Sequence, residues 1–171
     1  MNEIKLDGYC GLYCGGCDIY RLAEKAKHTG VKATWEEMPG QFKIIVKEAD
    51  VVCHGCKSDT LFAGCRGCPF IKCAKKKGVE NCALCKKYPC FKFTMMNIVI
   101  RLRKLDRKLP HVRARKPNLE FIRRNGLDKF LGEQEKAWKC PQCGARLSWY
   151  LEQCSCGKGN EKYFGIVSGK T

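Results

Sequence analysis

Fifteen of the 171 residues are cysteine, and nearly all stand in short paired spacings. They are Cys10, Cys14, Cys17, Cys53, Cys56, Cys65, Cys68, Cys73, Cys82, Cys85, Cys90, Cys140, Cys143, Cys154 and Cys156. A gap of two residues lets both sulfurs of a pair reach one ion, which makes metal the first explanation for such a pattern. Disulfides fit less well. The total is odd, and the leading MNEIKLDGYC carries acids and lacks the apolar core of a secretory signal. A chain kept in a reducing cytosol uses these spacings to hold metal, so all fifteen cysteines are expected ligands of three to four zinc ions in a cytoplasmic protein.

The longest apolar run, Phe93 to Ile100, is broken by Thr94 and Asn97 and is too short to span a bilayer, so no membrane partner is expected. The formal charge of +16 suggests nucleic acid, but it overstates the excess. With fifteen thiolates and four divalent ions it falls to roughly +9. Much of the lysine and arginine can serve to neutralise sulfur.

Three regions follow from where the cysteines stand: a cysteine-rich metal-binding module over 1–93, a basic connector over 94–136 and a ribbon over 137–171. Asp18 to His28 reads as a helix with Ile19, Leu22, Ala23 and Ala26 on one face and Asp18 as its cap. A helical pattern over Trp35–Ala49 is interrupted at Pro39-Gly40. One unit, C-x-G-C, recurs at Cys14–Cys17, Cys53–Cys56 and Cys65–Cys68, and a positive φ is expected at Gly16, Gly55 and Gly67. In the connector, Met95, Ile98, Leu102, Leu105 and Leu109 form a helical stripe that ends at Pro110. Two more helices are expected, from about Asn118 to Asn125 before Gly126, and from about Leu127 to Trp138.

The most specific signal is carboxyl-terminal. Cys140-Pro-Gln-Cys143-Gly144 reads as a knuckle, and Cys154-Ser-Cys156-Gly157 supplies a second half, with one intervening residue instead of two. Between them Leu147, Trp149 and Leu151 alternate as in a strand. The expected class is therefore a small, metal-stabilised α+β protein: an irregular cysteine-rich zinc module with helices, a helical connector and a C-terminal β zinc ribbon. Upstream, eleven sulfurs make two four-cysteine sites with three left over, so a third site needs another ligand, an open position or a shared sulfur. His54 and Asp18 are the nearest non-cysteine candidates.

Cys10, Cys14 and Cys17 share the C-x3-C-x2-C spacing with which radical enzymes hold a four-iron cluster. The chain lacks the length and the strand–helix alternation of the barrel those enzymes need. An iron–sulfur cluster here remains the alternative cofactor, and a metal-dependent enzyme or redox protein the alternative function.

CGLYCGGCDIY at Cys10–Tyr20, C-x-G-C, and CRGCPFIKCAKKKGVENCALCKKYPC at Cys65–Cys90 resemble the prokaryotic domain of unknown function 3795 over roughly residues 8–93. WKCPQCG at Trp138–Gly144 is similar to the zinc-ribbon tail of some members. The resemblance implies a zinc-binding module and no particular reaction.

The residues assemble no catalytic constellation. There is no Gly-rich phosphate loop and no H-E-x-x-H, and His28 and His111 read as solvated surface residues. A binding or adaptor role is expected, with a protein or nucleic acid as partner and no identifiable small-molecule substrate. Candidate phosphate contacts are Arg101, Arg103, Lys104, Arg107, Lys108, Arg113, Arg115 and Lys116, with Trp149 and Tyr150 available to stack on bases.

Overall fold

Cysteines set where the helices begin. Cys17, Cys68 and Cys90 are the residues immediately before α1 (Asp18–Thr29), α4 (Pro69–Lys77) and α5 (Phe91–Leu102). Cys14 and Cys82 open the 3-10 turns Cys14–Gly16 and Cys82–Leu84. Sulfurs are thereby gathered at helix N-termini, where unpaired N–H groups favour negative charge. The computed structural model that shows this describes residues 5–162.

The remaining elements are α2 (Gly40–Lys43), α3 (Ala63–Arg66), α6 (Leu105–Lys108), a 3-10 turn at Pro110–Ala114, α7 (Arg115–Asn125) and α8 (Leu127–Ala137). α1 ends at Gly30, whose φ of 72° no β-carbon opposes. Gly126 stops α7 as expected and leads directly into α8. These two helices form a hairpin that buries Leu119, Ile122 and Phe130.

A continuous apolar core joins the three sequence regions. Tyr13, Ile19, Phe70 and Phe93 from the amino-terminal stretch, Leu119 and Phe130 from the middle, and Leu147 and Trp149 from the tail belong to the same buried cluster. Truncation of a side chain in such a cluster to alanine costs about 2–5 kcal/mol.

The structure overturns the α+β class and the β ribbon. Among the described residues there are helices, turns and three isolated bridges, Asp7 with Tyr13, Lys139 with Arg146 and Gln153 with Gly159, and no sheet. The alternation read at Leu147, Trp149 and Leu151 fails because Leu147, Ser148, Trp149 and Tyr150 are all buried. The backbone there bonds to other segments instead of a neighbouring strand. Leu147 N–H donates to Trp138 O, Trp149 N–H to Gly16 O, and Tyr150 N–H to the Asp18 carboxylate.

Other expectations change too. Cys17, and not Asp18, occupies the N-cap of α1. The connector stripe is split at Lys104, which takes a φ of 52° between α5 and α6. α5 turns Phe93 and Ile100 into the core and leaves Met95, Ile98 and Leu102 exposed. Of the repeated glycines only Gly55 has a positive φ, 92°, whereas Gly67 sits at −86°. No helix among the described residues is long and apolar enough to cross a membrane.

Candidate metal centre

The carboxyl-terminal sulfurs converge without a ribbon. Two tight turns present them: Gly144 N–H donates to Cys140 O, and Gly157 N–H to Cys154 O, with φ of 73° and 88° at the two glycines. Each turn is closed by a single bridge, Lys139 with Arg146 and Gln153 with Gly159. Cys140 Sγ lies 3.6 Å from Cys156 Sγ and Cys143 Sγ 3.5 Å from Cys154 Sγ. All four sulfurs lie within 4.8 Å of one another, an arrangement that can hold one metal ion. The backbone N–H of Cys156 aimed at Cys154, with help from Cys143 and Cys140, brings its thiol down to about 6. The N–H groups of Cys143 and Gln142 lower Cys140 as well. Cys143 moves the other way, up to about 12: the Ala145 N–H lowers it, but contacts with the Cys154, Cys156 and Cys140 sulfurs outweigh that. It is therefore Cys154 and Cys140 that favour thiolate, the form that binds metal. The single-residue gap between Cys154 and Cys156 is no obstacle, since Gly157 supplies the turn that a second intervening residue would have made.

The segment between the two turns ties this centre to the rest of the chain. Ser148 Oγ donates to Asp18 Oδ1 at 2.7 Å and accepts from Arg21 Nε at 3.0 Å. Arg146 forms a two-pronged pair with Glu135, both contacts 3.2 Å, and reaches Glu24 at 3.2 Å. Tyr13 Oη donates to the same Glu135 at 2.5 Å. Burial pushes the Asp18 carboxyl up to about 6, against the bonds from Ser148 and Tyr150 that pull it down. With both oxygens so engaged, Asp18 serves the tail's attachment.

The amino-terminal cysteines gather as well. Cys14 is buried, and its sulfur lies 3.8 Å from Cys56 Sγ. Burial and the charges of Cys53, Cys14, Cys68 and Cys10 push the Cys65 thiol up to about 12. Cys17 is likewise raised by burial, Asp18, Cys14 and Cys53. Mutual charge effects thus put Cys10, Cys14, Cys17, Cys53, Cys56, Cys65 and Cys68 in one region, whereas among the described residues only the four carboxyl-terminal sulfurs form a set converging within 4.8 Å. The turns repeat: Cys17 N–H donates to Cys14 O, Cys68 N–H to Cys65 O and Cys85 N–H to Cys82 O. Cys73, Cys82, Cys85 and Cys90 line a separate pocket. His54 is exposed.

The basic candidates divide. Arg101, Arg103, Lys104, Arg107, Lys108, Arg113 and Lys116 are exposed, the last paired with Glu120 at 3.5 Å. Arg115 is buried: it lies over the rings of Phe70 and Phe93 and donates to Asn97 Oδ1 at 2.7 Å. Trp149 and Tyr150 are buried too, so neither offers a face to a base.

Sequence reasoning missed His111, which is buried and bonded to Tyr150 Oη at 2.6 Å. It also missed Asn81, wholly buried, whose side chain accepts from the N–H groups of Ala83 and Leu84 and so holds the Cys82 turn. An asparagine directly before C-x2-C was the available signal for that cap. Nothing local marked His111.

Searches of curated proteins and of solved structures find no match. The residues 6–95 match the family model described as protein of unknown function (DUF3795), so the cysteine-rich amino-terminal half and its ordered turns place the chain in that family.

Proposed function

We propose that this chain is a zinc-stabilised binding module whose thiolate-held ions form a frame and whose α5–α6 face engages an acidic partner protein. The face carries the reading. Phe91, Met95, Ile98 and Leu102 are exposed at spacings of four, three and four, which puts them on one side of α5. No acid occurs between Glu80 and Asp106, while Lys86, Lys87, Lys92, Arg101, Arg103 and Lys104 supply positive charge. An apolar ridge flanked mainly by cations, with Asp106 as the one acid on α6, suits an amphipathic helix with acidic flanks.

For the ion, the sulfur spacing of 3.5–3.6 Å supports a single tetrahedral centre. Bonds of about 2.3 Å to one zinc set sulfurs about 3.8 Å apart. A four-iron cluster places irons and sulfides between its ligands and needs a wider set. The eleven amino-terminal cysteines are proposed as further ligands, for three to four ions in all. The seven exposed bases from Arg101 to Lys116 support nucleic acid as the second reading of the same surface.

Elemental analysis of the purified full chain tests the frame: zinc is expected, and iron with sulfide overturns it. The face is tested by titrating the zinc-loaded chain with a designed helical peptide bearing a leucine ridge and glutamate flanks, and with a single-stranded oligonucleotide. Ile98→Asp and Leu102→Asp should each weaken peptide binding at least about tenfold. Salt-sensitive oligonucleotide binding that ignores both substitutions, with no peptide binding, would assign the face to nucleic acid.

A further inference from the structure

A cavity of about 640 Å³ is lined by α8 and by the start of the described chain. Asp128, Leu131, Gly132 and Glu135 follow one another on α8 at spacings of three, one and three, which turns one side of the helix towards it. Lys5, Leu6 and Asp7 add to the lining, with Tyr13 bridged to Asp7. The volume is that of a site for a whole small molecule. None of these residues belongs to the α5–α6 face or to the four carboxyl-terminal sulfurs. We propose that the cavity binds a small organic cation, a protonated amine or guanidine on an apolar stem. This goes beyond the binding-module reading and does not depend on it.

The polar groups of the lining decide the sign of the ligand. Every side-chain donor there is already engaged. Lys5 pairs with Glu80, and Tyr13 Oη donates to Glu135. Arg146 directs its guanidinium at Glu135, Glu24 and Gly15 O. Acceptors, by contrast, are left over. Asp128 enters no hydrogen bond or ion pair among the described residues. Asp7 is only 1% exposed, and both of its donors, Lys57 Nζ at 2.6 Å and Asn81 Nδ2 at 3.2 Å, go to Oδ2. Its Oδ1 accepts from no described residue. A buried oxygen without a donor is unfavourable, and a ligand N–H is the partner it lacks. A cation that only donates therefore matches this lining, whereas an anion meets carboxylates and no free donor.

The rest of the lining suits a stem. Leu6, Leu127 and Leu131 are half-buried around the cavity and offer it an apolar surface. Gly132 keeps the space open. Glycine inside a helix is unfavourable relative to alanine, yet no packing among the described residues calls for it here, since an added β-carbon meets nothing within 4 Å. A larger side chain at this position would occupy cavity volume without displacing a neighbour at its first atom.

Hexylamine, protonated at pH 7, is the probe for the purified full chain; hexanol and hexanoate carry the same stem with a neutral and an anionic head. By calorimetry hexylamine should bind at least about tenfold more tightly than either. Equal affinity for hexylamine and hexanol, or tighter binding of hexanoate, overturns the proposal. Gly132→Leu should weaken hexylamine binding at least about tenfold without lowering the melting temperature, because leucine is the better helix former. Asp128→Asn should weaken it about fivefold. Unchanged affinity in either variant refutes the site. If a variant does not fold, amide shifts of the wild-type chain decide. Hexylamine should move the signals of Leu127, Leu131 and Gly132, and shifts confined to residues outside this side of α8 refute the assignment.

Discussion

His111 lies flat against Trp149, their ring centroids 4.2 Å apart and their planes 6° from parallel. The contact joins the Pro110–Ala114 turn to the segment between the carboxyl-terminal knuckles. Phe42 packs against the imidazole as well, its ring centroid 5.7 Å away and tilted by 33°. Burial, with the charge of Arg115 adding to it, drives the His111 pKa down to about 3, so the ring is neutral in the folded chain.

A pH dependence follows. The unfolded chain takes a proton on this residue below about 6.5 while the folded chain does not, so folding stability from His111 is complete above that pH and lost below it. The slope is about 1.4 kcal/mol per pH unit, continuing until the folded group protonates near 3. Asp18, raised to about 6, works in the opposite sense between about 4 and 6, so the wild-type curve alone mixes the two. His111→Phe isolates the term. It should be less stable than wild type at pH 7.5, because Tyr150 Oη loses its partner, and the gap should narrow by about 2 kcal/mol at pH 5. Urea unfolding of both proteins at the two pH values measures it; a gap independent of pH would refute the assignment.

On the proposed zinc frame, Cys143→Ser should release one ion and loosen more than the tail. Ser148 and Arg146 fasten the segment between the knuckles to α1 and α8, and Trp149 lies in the shared core. Loss of the ion therefore frees buried side chains at the amino-terminal module. A stability loss of about 3 kcal/mol corresponds to a melting temperature lower by about 6–12 °C for a chain of this size. Protease cleavage should appear within α1 and α8 as well as after Trp138. Cleavage confined to residues beyond 137 would show an independent tail.

How far these features were legible depends on the range of the forces behind them. The knuckles and the Gly126 stop between two helices are local, set by spacing and turn chemistry, and the sequence displays them. α4 was missed because Pro69-Phe-Ile-Lys-Cys lies among cysteine turns, and its apolar residues Phe70, Ile71 and Ala74 make too short a pattern to stand out. The strand at Leu147–Leu151 was misread for a different reason. Its alternation was genuine in sequence, but Ser148 and Tyr150 found buried partners in Asp18 and His111, more than thirty residues away. Arg115 and His111 look like surface residues until tertiary contacts surround them.

The three C-x-G-C glycines should respond differently to alanine, although one motif contains them all. At Gly16 a β-carbon would come within 2.7 Å of the Trp138 ring, so Gly16→Ala forces the indole or the turn to move. Overpacking of this kind costs about 1–3 kcal/mol. Gly55 has a φ of 92°, and Gly55→Ala should cost about 1 kcal/mol or more through backbone strain. Gly67 has neither constraint: its φ is −86° and nothing lies within 4 Å of the added carbon. Gly67→Ala should stay within about 0.5 kcal/mol of wild type. Thermal melts of the three metal-loaded variants check the order, and equal losses would mean that the motif acts as one unit.

Arg115 should behave as a core residue and not as a phosphate contact. Its guanidinium sits 5.6 Å and 5.9 Å from the ring centres of Phe70 and Phe93 and bonds Asn97 Oδ1 and Val112 O. Arg115→Ala removes the cation from two aromatic faces and leaves both acceptors short of a donor, a loss of about 2–3 kcal/mol. Lysine cannot restore the planar fork, so Arg115→Lys should recover less than half of it. Arg107→Ala, at an exposed position, should leave the melting temperature unchanged within about 1–2 °C. If Arg115→Ala melts like wild type and instead weakens binding of a polyanion, the side chain faces a partner and the packing described for it is wrong.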